Sequence, residues 1–590
     1  MKHVVILNEF SLFGIVVSRI RKRDNFLLQI APIFPFFHRI LNALAHKFLR
    51  AGWLRDIAEL DELAAEAHTR LWLFPCSDWY GRSEGMIVNQ LGLDRLRPDP
   101  AFDFAACKQA VNFGAEQLST IHFIHEMNRD VPDIRIKLHG NARYLADLHG
   151  LLSEFPDRTC FVPSRYPRRL INACLTVLAA LRTLAHVVRF TKFKPAPPRK
   201  IFFGIDAIDN LERMIPAVND LLDDVSRQGL YVFRNRQSYN ALREGLSAYP
   251  VSPYPDGQFA LRQFPWVCSR SIGDAVKLLW RFGATDSRLF LQIVKLSVFR
   301  TYFEGMLNKY DMTYFLARDE YNGEHVIRSQ ELRRRGTISL GLLNGVNVFG
   351  VDSVFRFVDH DITYVFSPGS YLKYNRENWR KPLDVRQIGA IGLSRAEIRE
   401  MTTQEKEPDI VCFAKTYCDR TDFLNQVFKV GRALPDRKVF VSLKKSATRL
   451  GGGDEFFRHM KNAPANVVLV DDPSFQLIKR CRYVLSGDSS IISEAINLGS
   501  TAFFLDTYAQ DEVYIYRDYP DLSYGDGDLI VDRIRSIEDG TWRYPVEQFA
   551  DLADLSGWIS FDVIRRDIGL EPLDPPILRD AWSDNPVAEA

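Results

Sequence analysis

The chain has no C-x-x-C motif, no cysteine pair at zinc-ligand spacing with histidine, and almost no net charge. Lys and Arg number 76 against 74 Asp and Glu, a balance of +2, and only 12 residues are His. The missing cysteine spacing excludes a structural zinc module and a thioredoxin-type redox motif. The charge balance excludes a chain that is nucleic-acid-binding over its whole surface, and no nucleic-acid partner is expected. No unit repeats at 20–50 residues, which excludes a solenoid or propeller. The opening MKHVVILNEFSLFG lacks the charged and apolar regions of a secretory signal, so a cytoplasmic protein is expected. The eight cysteines are scattered, some inside apolar runs such as LINACLTVL (Cys174) and DIVCFAK (Cys412), and read as free thiols in a reducing compartment.

One absence is local. Residues 158–205 hold ten Lys or Arg and no Asp or Glu. At their centre, LINACLTVLAALRTLAHVV (170–188) is apolar over nearly the length of a membrane span. Asn172, Thr176, Ala179, Thr183 and His186 recur every three or four residues and give this helix one polar stripe. With Arg168, Arg169, Arg189, Lys192 and Lys194 at its ends, the pattern favours a helix lying in an anionic membrane interface. A core helix and a true span are the alternatives. The stiff Pro-rich stretch 195–198 then marks a boundary.

What is present is an ordinary globular composition, 46% hydrophobic and 25% charged, over 590 residues, enough for three or four domains. Residues 1–157 mix strand and helix signals and read as an α/β or mainly helical segment. They include a strand at 2–7 and an amphipathic helix expected at 54–70 on Leu54, Ile57, Leu60 and Leu63. Residues 158–199 form the basic amphipathic connector. From 200 to 400 short apolar runs alternate with helical stretches, and from 401 to 545 the alternation repeats: DIVCFA, KVFVSL, NVVLV and RYVLSG, each followed by a helix, and then the strand TAFFLD. This is the grammar of parallel sheets covered by helices. The predicted fold is α/β: two tandem Rossmann-like doubly wound domains, preceded by the N-terminal segment and followed at 546–590 by a helix and tail.

In such sheets ligands bind at the carboxyl ends of the strands. That rule selects Lys415 and Thr416 after the first strand of the last domain, Lys444 and Lys445 after the second, and Ser489 and Ser490 where the fourth strand meets a helix. Backbone N–H groups at a helix start and two lysine sites suit a donor phosphate. Helix capping by the serines and solvated lysines are the plain alternatives. In the preceding domain, Asp319, Glu320 and His325 follow a strand end and are the candidates for a general base; Asp206, after KIFFGI, reads more readily as a helix cap. The D-x-D strings Asp359-His-Asp361 and Asp526-Gly-Asp528 are not placed as metal ligands should be, and no metal is assigned.

The unit SGDSSIISEAINLGS resembles the strand–Ser-Ser–helix element of bacterial GT-B glycosyltransferases of surface polysaccharides: polysialyltransferases, Kdo transferases and CDP-glycerol polymer transferases. The resemblance puts Ser489, Ser490 and Glu494 at the donor-binding positions. VFVSLKKSA carries Lys444-Lys445 where these families have His-Pro, and SLGLLNGVN carries Asn344-Gly345 where a Gln-His-Gly turn is common. The resemblance implies transfer of a sugar from a CMP-, UDP-, GDP- or CDP-linked donor, as co-substrate and without a separate cofactor, to a glycan or lipid-linked glycan of the cell surface. The basic segment 158–205 would then hold the enzyme at the anionic inner face of the cytoplasmic membrane, where a lipid-linked acceptor is found. A sugar-nucleotide epimerase, a polyol-phosphate polymer transferase and a non-catalytic membrane assembly protein remain open on the same residues.

Overall fold

The computed structural model describes residues 2–7, 24–27, 47–56, 102–110, 133–140, 157–163, 168–207, 220–233, 251–253, 256–318, 323–343, 357–375, 382–414, 421–443, 453–487, 489–507 and 515–577, with residues 15, 44, 124, 128 and 240. Among them are three parallel sheets and one short parallel ribbon.

The first sheet holds β1 (Lys2–Leu7), β2 (Asp24–Leu27), β3 (Arg55–Asp56), β4 (Ile134–Gly140) and β5 (Thr159–Pro163). β6 (Thr191–Lys192) and β10 (Phe259–Ala260) form the ribbon. The second sheet holds β7 (Arg199–Ala207), β8 (Gly229–Phe233), β9 (Val251–Pro253), β11 (Tyr310–Ala317), β12 (Ile338–Leu342), β13 (Ile362–Val365) and β14 (Val385–Gln387). The third holds β15 (Glu407–Ala414), β16 (Val439–Leu443), β17 (Val467–Val470), β18 (Cys481–Ser486), β19 (Thr501–Leu505) and β20 (Ser523–Tyr524). The orders are β3-β2-β1-β4-β5, β14-β13-β12-β11-β7-β8-β9 and β17-β16-β15-β18-β19-β20. In all three the chain builds outward from a first strand in one direction, returns, and builds in the other. This is the doubly wound order, with a crevice where the direction reverses. The two tandem Rossmann-like domains expected from residue 200 are therefore present, and the N-terminal segment contains a third sheet of the same kind.

Two sequence readings change at the N-terminus. Arg55–Asp56 pair with Phe26–Leu27, so the helix expected from residue 54 does not begin there; residues 57–70 lie outside the described residues. Thr159–Pro163, inside the stretch read as connector, continues the first sheet beside β4.

Between the first two sheets lies a layer of three mutually packed helices: α1 (Arg168–Phe190), α2 (Phe264–Phe282) and α3 (Ser287–Lys309). α3 is buried along most of its length, and its Leu289, Phe290 and Ile293 share one core with Val4, Ile134 and Leu138 of the first sheet and Ile201 and Phe315 of the second. α1 is turned the opposite way from an ordinary surface helix. Asn172, Thr176, Thr183 and His186 face inward, while Leu170, Val177, Leu178, Leu181, Leu184 and Val188 face outward. Hydrogen bonding accounts for part of this. Buried polar groups need partners: Thr176 finds one in its own helix, donating to the Asn172 carbonyl at 2.8 Å, and Asn172 finds two beyond α2. Asn172 Nδ2 donates to the carbonyls of Gly283 at 2.9 Å and Thr285 at 3.2 Å. Arg182 Nε donates to the Tyr302 hydroxyl at 2.9 Å. Beneath them Arg300 bridges Asp274 at 2.8 Å and Glu331 at 2.9 Å in a buried ion-pair chain.

The third sheet has its own core. After it, helix Ser560–Asp567 crosses back to the second sheet. Ile564 and Ile568 join the core of Phe203, Tyr231 and Leu340. Tyr364 donates to Asp567 at 2.8 Å, and Arg565 donates to Asp223 at 2.7 Å. Arg395, just after β14, holds Asp562 and Asp574. The C-terminal stretch thus fastens the last two sheets together.

Candidate functional site

In the third sheet the direction reverses between β15 and β18. Phe413 pairs with Ser486 and Ala414 with Leu443, so β16, β15 and β18 finish level at their carboxyl ends. The Ser486 hydroxyl donates across the reversal to the Phe413 carbonyl at 3.2 Å. Next in the chain stand Ser489 and Ser490, both half-buried, before helix α4 (Ile491–Asn497). Ser490 occupies the cap position, yet its side chain makes no capping bond; Ser489 Oγ accepts the Ile491 N–H only at 3.4 Å. Helix capping therefore does not account for the Ser490 hydroxyl. Glu494, half-buried, lies in the first turn of the same helix.

The serine loop is fixed from the other side by residues that the sequence did not single out. The Tyr516 hydroxyl donates to the Ser489 carbonyl at 2.8 Å. Arg517 grips the Asp506 carboxylate, at the end of β19, through Nε at 2.6 Å and Nη2 at 2.8 Å. Tyr519 donates to Asp551 at 2.7 Å. Asp551 lies against Gly369, after β13, so closely that a Cβ at Gly369 would stand 2.3 Å from its oxygen. Gln387 joins the Phe366 and Ala550 carbonyls at 3.0 and 2.8 Å, and Asn497 accepts from Ala390 N at 2.8 Å. The turn 516–519 thereby ties the serine loop to the carboxyl edge of the second sheet.

Lys415, Thr416, Lys444, Lys445, Asp319 and Glu320 lie outside the described residues, although β15, β16 and β11, which they follow, are in place. His325 is described. It sits in helix α5 (Gly323–Arg334) with no exposed surface. Its Nε2 accepts the Asp359 N–H at 3.3 Å, and its ring lies 5.1 Å from that of His360. His360 Nδ1 is 3.1 Å from Ser339 Oγ. Asp359 and Asp361 both engage Arg333, at 2.6 and 3.4 Å, and Asp361 also accepts Ser339 N at 2.9 Å. The first D-x-D string is thus a packed strut between α5 and β12. In the second, Asp526 caps the helix Gly527–Glu538 and meets Lys429 at 3.0 Å; the capping bond from the Asp528 N–H, and then Lys429, lower its carboxyl pKa. Among the described residues no group of three His, Cys, Asp or Glu could hold a metal.

Asp206 has a tertiary partner; the residues it would cap lie outside the described residues. At the end of β7, beside the second reversal, it accepts from Arg328 of α5 at 2.9 Å, with both side chains shut off from solvent. The Arg328 guanidinium also lies over the Phe315 ring at 5.1 Å. Asp206 was visible in sequence as a polar residue ending an apolar strand; Arg328, one basic residue on a highly charged helix, carried no signal.

No family model matches the chain, and no curated protein matches it. Solved structures similar to it include a UDP-GlcNAc 2-epimerase from Neisseria meningitidis bound to UDP-GlcNAc. That likeness has 10% identity and a TM-score of 0.40, and covers 62% of this chain and 99% of the other. The wall teichoic acid polymerase TagF is similar at 11% identity and a TM-score of 0.37, over 68% of this chain and 96% of that one. MurG of Acinetobacter baumannii is similar at 10% identity and a TM-score of 0.32, over 63% and 99%. At such scores the fold assignment rests on the strand orders above and not on these likenesses.

Proposed function

We propose that this protein is a GT-B-type glycosyltransferase that moves a sugar from a nucleotide-activated donor to a cell-surface polysaccharide or lipopolysaccharide acceptor. The observation that carries the reading is the reversal between β15 and β18. Three strands end level there, and the loop that follows presents Ser490 with a hydroxyl not used in capping. Crevices at such reversals are where α/β sheets take nucleotides. In this reading Ser489 and Ser490, with Lys415, Thr416, Lys444 and Lys445 after the neighbouring strands, hold the donor phosphate, and Glu494 supports the loop. The leaving phosphate takes the electrons of the broken sugar–oxygen bond, and the lysines and N–H groups stabilise that charge. Asp319 or Glu320 takes the proton of the attacking acceptor hydroxyl. His325 is the third candidate, reached only if the Asp359 backbone releases its Nε2. The second sheet, with its own reversal, provides the acceptor side.

Calorimetry against CMP-, UDP-, GDP- and CDP-linked sugars tests this. One class binds, and Ser490→Ala weakens that binding by about 1 kcal/mol, or about fivefold. Asp319→Asn lowers turnover while donor affinity stays. If none of the four nucleotide classes binds, the reading fails; conversion of the free nucleotide-sugar to its epimer would make the protein an epimerase.

A further inference from the structure

Among the described residues, the outward surface of α1 and α2 has no partner. Of the 20 large apolar side chains exposed among the described residues, 12 lie between Leu170 and Phe193 or between Leu261 and Trp280. On α1 the face runs along Leu170, Val177, Leu181 and Val188. On α2 it runs along Trp266, Ile272, Val276 and Trp280, with Trp280 90% and Trp266 60% exposed. Both helices pack against α3 and against each other, so their free faces point away from α3 together. Soluble surfaces rarely leave so large a contiguous apolar patch uncovered.

The charge around the patch says what covers it. Residues 164–200 contain no Asp or Glu, and in 257–285 the single acid is Asp274, which is buried against Arg300. At the rim stand Arg169, Arg189, Lys192, Lys194 and Lys277, all exposed and without a salt bridge among the described residues. Phe193, 80% exposed, lies between two of the lysines. Asp103, beside Val276 and Trp280, is buried and paired with Arg281. An aliphatic face with tryptophans and a rim of exposed cations matches the layered chemistry of a bilayer surface with acidic headgroups. A second copy of this chain would set the same positive rims against each other and be repelled.

We propose that the joint α1–α2 face is a membrane-docking surface selective for anionic phospholipid. Its aliphatic side chains and Trp266 and Trp280 enter the interface, and the rim cations contact the headgroups. α1 lies in the plane of the membrane. It does not span it, because Asn172 on its inward face is held by the Gly283 and Thr285 carbonyls and Arg182 by the Tyr302 hydroxyl. The proposal stands on this surface alone and is independent of the nucleotide-sugar reading.

Vesicle flotation of the full chain tests it. The protein floats with phosphatidylcholine vesicles containing phosphatidylglycerol at low salt, and stays in the bottom fraction when the vesicles are pure phosphatidylcholine. Lys192→Gln and Lys194→Gln each weaken partitioning about fivefold. Trp266→Ser and Trp280→Ser each weaken it about tenfold, while circular dichroism and nucleotide binding stay as in the parent. In the unaltered chain, brominated phosphatidylglycerol quenches tryptophan emission. The proposal is overturned if the protein does not float, if it floats equally with neutral vesicles, or if the tryptophan variants float as the parent does. A parent that sediments as a dimer, with Trp280→Ser a monomer, would assign the face to a second copy and overturn it equally.

Discussion

Lowering the pH should loosen the α1–α3 layer through one residue, His186. Its ring is 7% exposed and lies 4.8 Å from Phe190, 4.3 Å from Tyr302 and 6.0 Å from Phe259. Its Nε2 has no hydrogen-bond partner. Burial, then the like charges of Arg189 and Arg182, lower its pKa from 6.5 to about 4, while Asp256 opposes the shift. The unfolded chain therefore takes up a proton below pH 6.5 that the folded chain refuses until about pH 4. Stability present above the unfolded value is lost as pH falls through this window, and the loss levels off below it. At about 1.36 kcal/mol per pH unit the difference amounts to about 3 kcal/mol. Urea midpoints of the parent and of His186→Leu, taken from pH 8 to pH 4, isolate this contribution, because all other titrations are common to both. The gap between the two curves should change by about 3 kcal/mol across the window, the parent losing more. Parallel curves, or a His186 ring that titrates near pH 6.5 by NMR difference against the variant, would refute the reasoning.

Other outcomes follow from the same packing. Arg328→Met leaves the Asp206 carboxylate buried without its guanidinium and should cost about 3–5 kcal/mol by denaturant unfolding; adding Asp206→Leu should recover most of it. Gly341→Ala places a Cβ 2.2 Å from the His360 ring, and should cost about 1–3 kcal/mol and shift the His325 and His360 resonances together. Tyr516→Phe removes the hydroxyl that holds the Ser489 carbonyl, so donor affinity should fall by about 1 kcal/mol with the melting temperature nearly unchanged; unchanged affinity would separate the serine loop from donor binding.

The legibility of the site followed the legibility of the strands. DIVCFA, KVFVSL and RYVLSG are short apolar runs with abrupt polar ends, so the residues at their carboxyl ends could be named before the fold was known. Ser490 emerged this way. Tyr516 and Arg517 did not, because their partners Ser489 and Asp506 are contacts across space with no periodicity to announce them. Asp206 was placed correctly at a strand end but given a local role, since capping is the commonest use of such an aspartate. Its tertiary partner, Arg328, lies 122 residues away.

By itself the sequence determined the α/β class, the alternation of strand and helix from residue 200 onward, and the acid-free stretch 158–205. Each is written in local composition and period, which neighbouring residues suffice to specify. Tertiary structure decided the strand orders and the presence of a third doubly wound sheet at the N-terminus, because pairing joins segments far apart in the chain. It also decided which side of α1 faces out. The polar stripe was legible, and water was its obvious solvent. The fold buried that stripe instead, giving Asn172 the Gly283 and Thr285 carbonyls from beyond α2, and left the aliphatic side outward.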